Sequence, residues 1–158
     1  MIDKKQIIRE IEEKFKDAKK EIGFETSLEN LDSAFSIKDS VLSNGFVSDN
    51  FSRQICSRIA EAYGSWVNYL NNLLIPSSGF IPFQTESKIF SSEQDRKLVW
   101  SLIRGAIQLT SLNNLINLNK DKKLEKDFID SSYKYWVEVF SPSMEKIMQR
   151  SHEAWKKD

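Results

Sequence analysis

One histidine, one cysteine and dispersed carboxylates are the side chains of this 158-residue sequence that could move protons or hold a metal. His152 lies three residues after Gln149 and seven after Glu145. A general base or metal ligand there needs a second group. The sequence offers no other histidine, and the Glu-x-x-His pairs of bundle-type metal sites are missing. His152 therefore reads as a solvated side chain on the last helix. Cys56 follows Ile55, with Arg53 three residues back. Its apolar neighbours predict a buried thiol rather than an activated one.

Other catalytic patterns are equally thin. Five glycines leave little room for a phosphate cradle, and no dinucleotide, P-loop or nucleophile-elbow motif occurs. The serines lack a basic partner. Glu61, three residues after Arg58, is the acid expected to face other helices, and pairing with Arg58 is its simplest role. No catalytic residue, cofactor or metal ligand is assigned. An acid- or metal-dependent enzyme stays open only as a third reading.

Bulk properties narrow the partners. Charged residues make up 29% of the chain and sum to a net charge of +0. Nucleic-acid binders draw most of their affinity from a basic excess, which is missing, so no nucleic acid is expected. No polybasic stretch or long apolar run suggests a membrane. A single cysteine excludes an internal disulfide framework, and the N-terminus lacks a secretory apolar core. These features point to the cytoplasm.

The elements that must position any site are helical throughout. Ile8, Ile11, Phe15, Ala18 and Ile22 advance in steps of three and four, the stripe of an amphipathic helix over 3–22. Asp3 can cap its start and Gly23 its end. A second helix is predicted over 27–43, divisible at Ser36. The longest, over 49–74, carries Phe51, Ile55, Ile59, Ala62, Trp66, Tyr69 and Leu73 and is expected to be central. Truncating Trp66 there should cost about 3–5 kcal/mol. Further helices follow over 93–118, 122–140 and 142–156, the last opened by Ser141-Pro142. The whole, 1–158, is read as a single all-α domain. It is a compact bundle of five to six mostly antiparallel helices, with about 65–75% helix against an average near a third.

Between Ile75 and Ser91 no helical pattern is read, although Phe80, Ile81, Phe83, Ile89 and Phe90 need cover. Long irregular segments inside compact domains are uncommon and often functional. This one either plugs the end of the core or serves as a binding loop. Trp100 and Arg104, at i and i+4, allow a guanidinium to lie over an indole, or together anchor a partner. Phe80, Ile81, Phe83, Trp100 and Arg104 form the candidate binding surface.

Ile59-x3-Tyr63-x2-Trp66-Val67 recurs as Ile129-x3-Tyr133-x2-Trp136-Val137, a faint echo without flanking support for duplication. The leading expectation is a non-enzymatic interaction protein that binds a protein partner or itself, a homodimer included. A small apolar or aromatic ligand held between the Trp-bearing helices is the alternative.

Overall fold

The computed structural model describes residues 3–157. Of these, 83% are helical, and no strand occurs among them. The helices are α1 (Lys4–Ile22), α2 (Leu28–Phe35), α3 (Ile37–Asn44), α4 (Phe51–Leu74), α5 (Ile81–Ile89), α6 (Glu93–Asn119), α7 (Lys122–Tyr135) and α8 (Ser141–Trp155). A π-turn over Trp136–Phe140 joins α7 to α8, so the described residues form seven rods rather than five or six. No helix described is long and apolar enough to cross a membrane.

The first rod keeps its expected limits, but its buried stripe opens at Ile7 rather than Ile8, which is half-buried like Ile22. Asp3 accepts from the Lys5 amide at its start, and Gly23, at φ 86°, closes its end. The 27–43 segment divides at Ser36, as its sequence allowed. Ser36 sits in the left-handed region at φ 53° and makes no side-chain cap. Asp32 does that work instead, its Oδ1 accepting from the Lys38 amide at 2.7 Å. The loop before α2 is pinned from afar. The Asp130 carboxylate of α7 accepts from the Glu25 and Thr26 amides at 3.0 Å and from the Thr26 hydroxyl at 2.7 Å.

Helix α4 is the axle, packed against α1, α2, α3, α5, α6 and α7. Phe51, Ile55, Cys56, Ile59, Tyr63, Leu70 and Leu73 are buried along it. The stripe read from the sequence was turned too far toward Trp66 and Tyr69, both of which are half-buried. Tyr63 takes the central place, fully enclosed, its hydroxyl donating to the Ser132 carbonyl at 2.6 Å. Phe35, Trp136, Phe140 and Tyr135 surround its ring at centroid distances of 5.2–6.2 Å. Because Tyr63 is enclosed and Trp66 only half-buried, the largest truncation cost on α4 is now expected at Tyr63. The echo pairs α4 with α7 in space, but Tyr133 is only half-buried where Tyr63 is fully enclosed.

The π-turn explains how one rod keeps its inner face past Pro142. Ser132, Trp136, Phe140 and Met144 face inward at successive steps of four. Each such step overshoots an α-turn by about 40°, so three would swing Met144 away from the core. The Ser141 amide bonds to the Trp136 carbonyl, five residues back, and the extra residue removes about 100° of that drift. Val137 and Val139 are thereby turned outward.

Two glycines test the packing in opposite senses. Gly64 is exposed with open space where a Cβ would stand, so Gly64→Ala should stabilise the chain by about 0.5–1 kcal/mol. A Cβ on Gly105 of α6 would fall 2.5 Å from the Tyr135 Cζ and closer still to its hydroxyl. That ring is held by Tyr63 and Phe140. Gly105→Ala should therefore destabilise by about 1–3 kcal/mol, an increment largely absent in a Tyr135→Leu background. Urea denaturation of the four variants measures both signs.

Candidate functional site

The 75–91 segment contains a helix the sequence pattern concealed. Helix α5 turns Phe83 and Glu86 inward and leads to Phe90, so a carboxylate occupies the middle of its inner face. That carboxylate is matched by donors. Glu86 accepts from the Tyr69 hydroxyl at 2.6 Å, the Ser151 hydroxyl at 2.8 Å and the Trp155 indole nitrogen at 2.9 Å. Burial raises the Glu86 carboxyl, but the three donors prevail and hold it below the usual range. Burial and the facing Glu86 push the Tyr69 hydroxyl upward. Ser87 adds a bond to the Leu73 carbonyl at 2.8 Å. Thus α5 is clamped to the ends of α4 and α8.

A second brace lies alongside. Arg150 forms a two-pronged pair with Asp95, at 2.6 and 3.0 Å, and bonds to the Ile89 carbonyl. Its hydrogen bond to Asp95 lowers that carboxyl and raises the guanidinium. Its guanidinium carbon stands 4.6 Å from the Phe90 ring centre.

The corner built on these braces divides the apolar residues of the segment. Phe90 plugs the core, and Ile89 and Phe83 are half-buried. Ile75, Phe80 and Ile81 face solvent at 71%, 48% and 74% exposure. The Phe80 ring is fixed edge-on against Phe83 at 4.7 Å. Where α4 ends and α6 begins, a cleft of about 500 Å³ is lined by Leu74, Ser91, Glu93, Arg96, Lys97 and Trp100. Trp100 is 58% exposed and Arg104 is exposed. The two form no cation–π contact, since the stack among the described residues is Arg150 on Phe90.

The other end of the bundle holds a polar cluster that sequence reasoning missed. Glu125 of α7, not Glu61, is the buried acid. It accepts from the Ser52 hydroxyl at 3.1 Å and lies 3.6 Å from Arg53 Nε. Arg53 Nη2 reaches Asn113 at 3.3 Å and also Asn117, while Nη1 is buried without a partner. Ser52, Arg53, Asn117 and Glu125 line a cleft of about 530 Å³, together with the paired Lys122 and Glu21. Glu61 itself is solvent-facing, 3.6 Å from Arg58, whose Nε instead donates to the Phe35 carbonyl at 2.7 Å. Cys56 is enclosed, and burial pushes its thiol up to about 12 despite nearby Arg53. His152 is exposed. Among the described residues no three His, Cys, Asp or Glu side chains gather as a metal site.

Comparison of the chain with protein-family models, curated proteins and solved structures gives no match. Residue roles come from geometry.

The Glu86 clamp makes a measurable claim. Its carboxyl is depressed on folding, so its contribution is complete above the unfolded value of 4.5 and disappears as pH falls through the lower folded value. Stability curves should fall in that acid window for the wild type and more gently for Glu86→Gln. Glu86→Ala leaves three donors without their acceptor and should cost about 1–3 kcal/mol by denaturant unfolding at neutral pH.

Proposed function

We propose that the chain is a non-enzymatic docking module whose α4–α5 corner receives an apolar segment of a protein partner. The observation that carries this reading is the exposure of Ile75, Phe80 and Ile81 on a corner that Glu86 and Arg150 hold rigid. Large apolar side chains displayed together mark interaction surfaces. A preformed surface loses less conformational freedom on binding than a mobile loop.

Charge favours one kind of occupant. Lys88 and Arg96 are exposed near the corner without an ion-pair partner among the described residues, while Glu93 and Asp95 are engaged by Lys97 and Arg150. The partner segment therefore carries an apolar face with acidic flanks, in the manner of an amphipathic helix laid into a groove. A cytoplasmic setting belongs to the same proposal. Its support is a composition with a single cysteine and hence no internal disulfide. A ligand between the Trp-bearing helices has no comparable support, since Tyr63, Trp136 and Phe140 are in mutual ring contact there.

The test places a photo-crosslinking side chain at Ile81 in the producing cell and identifies the adduct by mass. A double variant, Ile75→Ser with Phe80→Ser, should abolish that adduct while retaining near-native melting, because both side chains are already substantially solvated. A collapse of the melting temperature would make the corner a plug. Persistence of the adduct would move the interface elsewhere.

A further inference from the structure

Helix α6 carries two faces. Val99, Leu102, Ile103, Ala106, Asn113 and Ile116 are buried inward against α4 and α7. On the opposite side Trp100, Arg104, Ile107, Ser111, Asn114 and Leu118 are all exposed and advance by 4, 3, 4, 3 and 4 residues. That alternation is the seam spacing of two helices packed side by side. Its apolar members are well exposed, Trp100 at 58%, Ile107 at 48% and Leu118 at 79%. From Gly105 to Asn119 there is no charged residue, in a chain that is 29% charged. An outer helical surface left without charge has the composition of an interface centre, from which charge is depleted and in which Trp and Arg are enriched.

We infer that this face is a self-association seam, and that its occupant is the same face of a second copy running antiparallel about a twofold axis. The pattern is self-complementary. Pairing Trp100 with Leu118 also pairs Arg104 with Asn114 and Ile107 with Ser111, because each pair of numbers has the same midpoint. Each large side chain then meets a smaller or aliphatic one, and each guanidinium meets an amide carbonyl acceptor. A parallel pairing would instead set Arg104 on Arg104 and align the two helix dipoles, both unfavourable. Isologous pairing of this kind is the commonest closed symmetry.

The seam from Trp100 to Leu118 is about 27 Å long at 1.5 Å per residue. That is a short contact, so the dimer is expected to exchange reversibly with the monomer. The inference goes beyond the docking corner, although the seam shares Trp100 with the cleft where α4 ends and α6 begins. Substitutions at Ile75 and Phe80 leave it untouched.

Sedimentation equilibrium on the full chain tests it. The mass should rise with concentration from 18.4 kDa toward twice that value. Ile107→Asp and Leu118→Asp should each hold it at the monomer value without lowering the melting temperature. Asn114→Glu reads the direction of pairing. Antiparallel chains gain a charge partner for Arg104 at both ends and tighten about tenfold at low salt, whereas parallel chains gain a repulsion. A monomer at every concentration would overturn the seam. So would a dimer indifferent to Ile107→Asp and Leu118→Asp, or one weakened by Asn114→Glu. The last variant decides even where an aspartate variant fails to fold.

Discussion

The hydrogen bond from the enclosed Tyr63 hydroxyl to the Ser132 carbonyl fixes the relation between the axle and the last rod. A hydroxyl removed from water must find an acceptor or lose its full solvation. Here the acceptor is a backbone atom one turn before the π-turn. With the ring thus aimed, Phe35 reaches it from α2, and Tyr135, Trp136 and Phe140 from the joint of α7 and α8. Phe140 can be there only because the wider turn restores its phase. The close approach of α6 at Gly105 depends in turn on where Tyr135 is left. One buried polar contact therefore governs the placement of four helices.

Polarity is distributed in a way composition would not suggest. The bundle encloses charge at both ends, Glu125 with Arg53 at one and Glu86 with its three donors at the other. Meanwhile the outward side of α6 is left without charge over most of its length. Enclosed carboxylates are directional. They orient α5 and α7 through specific atoms where apolar contacts alone would let them rotate. The uncharged outer face has no such internal duty.

Much of the architecture was legible from residue spacing, and the failures have physical causes. The stripe of α1 is unbroken, and its caps lie where helix chemistry places them, so its limits were readable to within a residue. Helix α5 escaped because hydrophobic periodicity registers only apolar residues. Glu86 fills an inward position and acts there as a core residue through hydrogen bonds. Glu125 was hidden for the same reason, although it stands one turn before Phe128 and Ile129 on the same face. Asn113 and Asn117 are poor helix formers near the end of α6, and spacing alone does not reveal that they are acceptors for Arg53. The π-turn did leave a trace in the repeated steps of four from Ser132 to Met144. Among the candidate surface residues, Phe80, Ile81, Trp100 and Arg104 are exposed and Phe83 is half-buried beneath Phe80. Exposure was beyond the sequence, because it depends on which side of α5 the Glu86 clamp turns inward.

The π-turn also bears on how this chain can change length. It holds one residue more than the α-turn it replaces, and that residue falls among the outward-facing 137–139. Loss of a single residue there would return the ladder to ordinary helix while Trp136 and Phe140 kept their sides. The same loss anywhere else within the rod would rotate everything beyond it by about 100°. Pro142 constrains the exchange, since its ring would then press on the carbonyl four residues before it and leave that group without a donor. Shortening of the rod and replacement of the proline are thus a coupled pair of heritable changes, each awkward without the other.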